Sequence, residues 1–141
     1  MLLQESRCGG MAEVELGKLA QEKGSSQSVK DFGAMMVKDH SAANEKLESL
    51  AASKNITLPT GPSAASKAEQ AKLEALSGAA FDQAYIKAMV KGHEQTAELL
   101  KKEMSSGQDE DAKAFAQSIL PTVESHLKEA RAVESQVVAQ R

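Results

Sequence analysis

Aromatic residues are scarce in this chain, and tryptophan is absent. Phe and Tyr together make up 3% of its 141 residues. A sheet packs best with β-branched and aromatic side chains, so their sparseness argues against a β fold. The hydrophobic fraction of 41% comes mostly from Ala, Leu, Val and Met. Because Ala, Leu and Met, together with Lys, Gln and Glu, are strong helix formers, we expect an all-α protein.

Other absences narrow the function. The one cysteine, Cys8, excludes an internal disulfide and forms no redox motif. No apolar run approaches the roughly 18 residues of a membrane span. The formal net charge is -3, and no basic stripe with interleaved aromatic residues occurs, so we expect no binding to nucleic acid. No nucleophile motif or phosphate-binding loop is found, so we do not expect an enzyme.

The hydrophobic pattern predicts a single four-helix-bundle domain over residues 1–141. Apolar residues recur at three- and four-residue steps, as on one face of a helix. The long helices are predicted at residues 4–23, 29–53, 79–105 and from 109 onward. Pro121 lies in the last of these and predicts a mild kink. Ser28 with Asp31, and Ser66 with Glu69, resemble capping boxes at helix starts.

A long connection separates the second and third long helices. It covers residues 55 to about 78 and is predicted to contain a short helix from Ser66 to Leu76. Four-helix bundles with one long crossover are of the ferritin-like type, and this is the predicted fold. An up-down-up-down bundle capped by the short helix also fits the sequence.

Three histidines lie on the inward faces of three different helices. His40 is four residues after Met36, and His93 is four residues after Met89. His126 is seven residues after Ile119 on the last helix. Each histidine is close to the midpoint of its helix, and helices packed side by side bring their midpoints to one level. We therefore expect the three imidazoles to converge at the centre of the bundle.

A carboxylate on the first helix completes a candidate metal site. Glu13 lies near the midpoint of that helix. Imidazole nitrogen suits Zn, Cu and Fe, and a carboxylate can fill a fourth position. The predicted ligands are thus Glu13, His40, His93 and His126. The nearest side chains that could orient the rings are Asp39, Tyr85 and Glu124.

Two other interpretations of these residues compete with a single metal site. The histidines could form a buried hydrogen-bond network with Tyr85 and Glu13, which would make the protein a structural or interaction module. A di-iron centre would need Glu-x-x-His on two helices. Val37, Val90 and Val123 stand three residues before the histidines, so the sequence argues against it.

Several blocks of sequence resemble a known family in order and spacing. They are residues 10–20 (GMAEVELGKLA), 36–40 (MVKDH), 81–85 (FDQAY), 89–93 (MVKGH), Leu120–Pro121 and His126–Leu127. The family is the bacterial domain-of-unknown-function family 4142, whose members are often labelled putative outer-membrane or exported proteins. The resemblance implies a ferritin-like helical bundle without an established activity. It also implies a shared role for Glu13 and the three histidines.

The resemblance further implies a periplasmic or exported protein, because family members usually carry a signal peptide. Here residues 1–8 stand in place of that signal and of the start of the first helix. We therefore expect either a cytoplasmic chain or part of a longer precursor. The predicted function is transition-metal binding, in an exported stress or metal-handling role. Its protein partner is left open, with a homo-oligomer as one option.

Overall fold

The computed structural model describes residues 2–139, which form five helices. These are α1 (Leu2–Lys23), α2 (Gln27–Ser53), α3 (Ala64–Glu74), α4 (Gly78–Ser106) and α5 (Glu110–Ala139). No strand occurs within residues 2–139, so the all-α class is confirmed. The described residues do not include Met1, which belongs to the segment 1–8. They also do not include the last two residues of the predicted domain, 1–141.

Two helices start earlier than predicted, because other serines cap them. The Ser26 side chain accepts a hydrogen bond from the Val29 amide, and α2 begins at Gln27. The Ser63 hydroxyl accepts one from the Ser66 amide, and α3 begins at Ala64. The predicted caps at Ser28 and Ser66 are therefore wrong. Each lies in a serine-rich stretch, where several residues satisfy the local requirement for an N-cap. At α2, the bonds of Asp82 to the Ser25 and Ser26 amides favour the earlier start.

The helix ends follow the sequence signals more closely. Asn55, which follows the C-cap residue Lys54 of α2, has the left-handed backbone conformation (φ 57°) that commonly terminates helices. Gly107 follows the end of α4. The Asp109 carboxylate accepts hydrogen bonds from the amides of Asp111 and Ala112, which caps α5. Pro121 lies inside α5, and the mild kink stays a prediction.

The long helices associate as two neighbouring pairs, α1 with α2 and α4 with α5. At one end, the Asp82 carboxylate near the start of α4 accepts hydrogen bonds from the Ser25 and Ser26 amides, both at 2.8 Å, beside the start of α2. At the other end, Lys54 after α2 forms ion pairs with Asp109 and Asp111 at the start of α5. Because α4 also ends there, α2 and α4 run in the same direction.

The connection between α2 and α4 therefore passes from one end of the molecule to the other. It lies along α1: the Cys8 thiol is 3.7 Å from the Gly61 carbonyl oxygen, and the Lys23 ammonium donates to the Glu74 carbonyl. α3 is part of this passage and buries Leu73 in the core. An up-down-up-down arrangement would need α4 antiparallel to α2, and the structure does not have it.

The buried residues fall into one large and two small clusters. The large core lies on the α3 side of the histidines and draws on all five helices; it contains Leu16, Ala20, Val29, Phe32, Met36, Leu73, Phe81, Tyr85, Ile86, Met89, Ala130, Val133 and Val137. The opposite half has two smaller clusters, one around Leu100 and Ala116 and one of Leu3, Leu47 and Phe115. The histidines lie at the boundary between the large core and this less tightly packed half.

No helix within residues 2–139 has both the length and the apolar character needed to cross a membrane. This agrees with the absence of a long apolar run in the sequence.

Candidate metal centre

The three histidines meet between α2, α4 and α5. The ring centroids of His40 and His126 are 5.4 Å apart, those of His93 and His126 5.5 Å, and those of His40 and His93 5.9 Å. One ring nitrogen from each residue lies within 4.8 Å of those from the other two. The convergence predicted from their level positions is present; a role in metal binding stays a prediction.

The His93 ring is oriented by its own helix. Its Nδ1–H donates to the carbonyl oxygen of Met89, one turn earlier on α4, at 2.8 Å. A carbonyl oxygen can only accept, so the Nδ1 atom carries the proton and the Nε2 atom keeps its lone pair. His93 is 2% exposed, and its ring therefore presents an unprotonated nitrogen inside the protein.

The His126 ring is oriented across the interface between α2 and α5. Its Nε2–H donates to the Asp39 Oδ2 atom at 2.7 Å. The Nδ1 atom of His126 is buried without a hydrogen-bond partner among the described residues. A carboxylate bonded to the far nitrogen of an imidazole is a common partner of metal-ligating histidines, because it fixes the tautomer and raises the basicity of the ring. Asp39 thus has the contact predicted for it from the sequence.

Three ring nitrogens are left buried and without a hydrogen-bond partner among the described residues. They are the Nε2 atoms of His40 and His93 and the Nδ1 atom of His126. Buried polar atoms in native proteins are almost always paired. Three unpaired nitrogens in one cluster therefore indicate a group that the protein chain itself does not supply.

The surroundings keep the rings of His40 and His93 neutral. Burial lowers the pKa of His40 to about 3, with further lowering by His93 and His126 and a smaller opposing effect from Asp39. Burial lowers the pKa of His93 to about 4, against the opposing effect of its bond to Met89. Neutral imidazole is the form that binds metal, so these ligands need not lose protons at neutral pH.

Glu13 faces the same region from α1 but lies outside the three-histidine group. Its Oε1 atom would be 3.9 Å from a Cβ placed on Gly92, the residue before His93. Its Oε2 atom is buried without a hydrogen-bond partner among the described residues. Burial raises the pKa of Glu13 to about 8. The structure therefore places Glu13 beside the cluster, and its role as a ligand stays a prediction.

The two remaining predicted residues do not contact the histidine rings through hydrogen bonds. Tyr85 is fully buried and packs against Phe32 and Phe81. Burial, and then the charge of Glu13, raise the pKa of Tyr85 well above its usual value. Glu124 pairs instead with Lys101, and both side chains are about half exposed. The helical period that turns His126 inward turns Glu124, two residues earlier, toward solvent.

A cavity of about 270 Å³ opens from the histidine cluster into the less tightly packed half of the protein. All four long helices contribute to its wall. The wall combines the polar side chains of the cluster with Asn44, small residues and a few apolar side chains; its members include Gly9, Gly10, Glu13, Asp39, His40, Ala43, Asn44, Leu47, His93, Phe115, Ile119 and His126. No sequence pattern predicts this cavity, since the small residues on α1 and α2 are also typical of closely packed helices.

The cluster fits a single transition-metal ion. Metal–nitrogen bonds of about 2.0–2.1 Å place tetrahedral ligand nitrogens about 3.3 Å apart. The observed limit of 4.8 Å requires movements of no more than about 1.5 Å to reach that spacing. Buried neutral nitrogens with oriented rings are suitable donors for Zn, Cu or Fe. Because the group contains no carboxylate oxygen, it does not provide the bridging ligands of a di-iron centre.

The histidine cluster and the helices around it define the class of protein: an all-α protein with a buried polar centre. Residues 1–133 match the model of the family described as Domain of unknown function (DUF4142), and the chain belongs to this family. Neither the curated proteins nor the solved structures contain a match.

Proposed function

We propose that this protein is a ferritin-like four-helix bundle that binds one transition-metal ion through His40, His93 and His126. Zn, Cu and Fe are the ions that suit such a donor set. Two observations carry the proposal. One ring nitrogen from each histidine lies within 4.8 Å of those from the other two, and each ring has one buried nitrogen without a hydrogen-bond partner among the described residues. The proposed role is binding of the ion.

The ferritin-like assignment is supported by the direction of the helices. Two neighbouring helix pairs are joined by a connection that runs the length of the molecule, and α2 is parallel to α4. One long crossover is the feature of ferritin-like bundles. The label describes connectivity alone, because the cluster lacks the carboxylates of ferritin chemistry.

The second candidate is a structural or interaction module whose histidines form a buried hydrogen-bond network. The bonds of His93 to Met89 and of His126 to Asp39 favour it. Each of these bonds uses only one of the two ring nitrogens, however. Since the other nitrogen of each ring and the Nε2 atom of His40 are buried without a partner among the described residues, the network is incomplete without a further group, and metal binding explains more of the geometry.

Titration of chelator-treated protein with Zn²⁺, Cu²⁺ and Fe²⁺ tests the proposal. We expect one ion per chain and an increase in the melting temperature that grows with metal concentration. The variant His93→Gln removes one donor nitrogen while keeping a polar side chain of similar length. It should weaken binding by more than about a hundredfold, since loss of even an orienting partner costs ten- to a hundredfold.

Lys91→Gln, on the exposed side of α4, is the matched control and should bind metal as the parent does. Equal affinities in the parent and in His93→Gln would exclude the histidine site. A melting temperature that does not respond to any of the three ions would favour the structural module instead.

We also propose that the mature protein acts in the periplasm or outside the cell, in metal handling or stress protection. The support is its resemblance to family members labelled as exported. Expression of the complete reading frame, followed by cell fractionation, tests this location. Recovery of the protein only from the cytoplasmic fraction would contradict it.

A further inference from the structure

The cavity next to the histidines has a position, a size and a wall that suit a small ligand. We propose that it binds a compact monocarboxylate, one oxygen of which coordinates the metal held by the three histidines. This inference rests on the proposed function, because the metal supplies the charge that anchors the ligand.

The position of the cavity follows from how the histidines are packed. On one side they adjoin the large core, where the rings of Phe32 and His93 have centroids 6.4 Å apart. On the other side all three rings line the cavity. Three protein ligands leave a tetrahedral metal with one open position. Since the core side is filled by side chains, the open position has room only toward the cavity.

The charge at this end of the cavity favours a monoanion. Three neutral imidazoles leave the charge of a divalent ion intact, and Asp39 supplies one negative charge through His126. With Glu13, which also lines the cavity, left outside the ligand set, the metal and Asp39 together carry a charge of about +1 before any ligand binds. On the rim, Glu5 and Lys46 offset one another. An anionic oxygen donor is therefore preferred over a neutral molecule or a cation.

The wall away from the metal favours a short apolar body on that anion. Leu47, Phe115 and Ile119 line this part, and Leu47 and Phe115 belong to one apolar cluster. The volume of about 270 Å³ exceeds the roughly 150 Å³ that accommodates benzene in an apolar protein cavity. A carboxylate with a body of about four to eight carbons therefore fits.

Asn44 provides a group for the second carboxylate oxygen. It lies one helical turn after His40, in the wall of the cavity. Its amide is held against Gly10, where a Cβ would be only 2.2 Å from the Asn44 Oδ1 atom. No hydrogen bond joins this amide to another residue of the described chain. Its N–H₂ group is therefore available to a ligand, and Asn44 serves as a positioning residue for the carboxylate.

The test uses the cobalt-loaded protein, because the visible spectrum of Co²⁺ reports directly on its ligands. Acetate, butyrate, hexanoate and benzoate are titrated separately. We expect each to change the spectrum, with affinity rising about fourfold for each added methylene until the cavity is full. Butylamine, which has an apolar body without the anion, should leave the spectrum unchanged.

Two variants locate the ligand in the cavity. Ala43→Phe places a ring in the cavity wall and should weaken hexanoate binding at least tenfold while leaving acetate binding unchanged. Ala34→Phe, on an exposed position of the same helix, is its control. Asn44→Ala should weaken all the carboxylates about tenfold without changing the affinity for cobalt.

The outcomes separate this inference from the proposed function. If neither Co²⁺ nor any of Zn²⁺, Cu²⁺ and Fe²⁺ binds, both fail. If cobalt binds but carboxylates leave its spectrum unchanged, the metal site stands and the ligand site is overturned. Affinities that do not depend on chain length, or that Ala43→Phe and Asn44→Ala leave unchanged, also overturn it.

Discussion

The Oδ2 atom of Asp39 accepts a hydrogen bond from the Nε2 atom of His126 at 2.7 Å, across the interface between α2 and α5. The two residues are 87 positions apart in the chain. Their bond uses the Nε2 atom of His126 and leaves its buried Nδ1 atom without a partner among the described residues. It also gives this ring a negatively charged partner, which makes Asp39 the first residue to test outside the ligand set.

Asp39→Asn should keep the fold and weaken metal binding by ten- to a hundredfold. The amide oxygen can still accept from the ring, but the negative charge that raises the basicity of His126 is lost. Metal affinity by competition with a chromophoric chelator is the measurement. Asp31→Asn, at an exposed position on the same helix, should have no effect. A similar loss in both variants would show that Asp39 acts only through the overall charge.

Glu13→Gln should stabilise the metal-free protein, and more so as the pH rises. The pKa of Glu13 is raised to about 8 by burial, so the folded chain holds a proton that the unfolded chain releases above about pH 4.5. The stability that this proton supports is present at low pH and is lost as the pH rises toward 8.

The gap in unfolding free energy between Glu13→Gln and the parent should therefore widen by about 2–3 kcal/mol from pH 5 to pH 7.5. Urea unfolding at several pH values gives this gap. Glu15→Gln, two residues away and exposed, should give a constant difference. A constant difference for Glu13→Gln as well would show that its carboxylate is hydrated in the folded protein.

His93 makes the metal-free protein sensitive to acid. Burial holds the pKa of His93 at about 4 in the folded state, against about 6.5 in the unfolded chain. The unfolded chain takes up the proton first, so the stability is present above pH 6.5 and is lost as the pH falls toward 4. At pH 5 the His93 ring alone lowers the free energy of unfolding by about 2 kcal/mol relative to neutral pH.

His93→Gln removes the pH-dependent contribution of this ring. The unfolding free energy of the variant should therefore fall less between pH 7 and pH 5 than that of the parent. Chemical denaturation of both proteins without metal is the measurement. Parallel pH profiles would contradict the buried, neutral state of the ring.

Gly33→Ala should destabilise the protein by about 1–3 kcal/mol through overpacking. A Cβ at this position would lie 2.7 Å from the Gly17 carbonyl oxygen and 2.8 Å from the Ala20 Cβ. Both partners belong to α1, which packs closely on α2 here. Gly9→Ala is the contrasting case, because a Cβ there meets no atom within 4 Å. It should be neutral or stabilising by up to about 1 kcal/mol, from helix propensity. Equal melting temperatures for the two variants would contradict this difference.

Asp82→Ala should lower the free energy of unfolding by about 3 kcal/mol or more. The Asp82 carboxylate, 2% exposed, accepts hydrogen bonds from the Ser25 and Ser26 amides. Its removal leaves two part-buried amides without partners, at a cost of about 1–3 kcal/mol each. Asp31→Ala, which removes only an exposed bond from Gln27, should change the unfolding free energy by less than about 0.5 kcal/mol. An equally small effect of Asp82→Ala would show that water replaces the carboxylate.

The sequence by itself determined the helices and the level of the histidines. Helical period and caps are local properties, so the apolar stripes predict the all-α class and turn His40, His93 and His126 inward. Their places near the helix midpoints put them at one height. The start of α2 was an exception, because Ser26 and Ser28 both suit an N-cap. Ser26 is the cap in the structure, and its amide bonds to Asp82, a residue far away in the chain.

Only the tertiary structure decided how these helices are arranged and what the imidazoles contact. The direction of α4 depends on Asp82 meeting the Ser25 and Ser26 amides, a contact between residues more than 50 positions apart. The orientation of each ring depends on partners such as Asp39, and the cavity depends on how closely four helices approach. A sequence pattern fixes which face of a helix is buried, whereas the neighbour of that face is fixed by packing across the whole chain. For this reason the histidine trio was predictable, and its three free nitrogens and adjoining cavity were not.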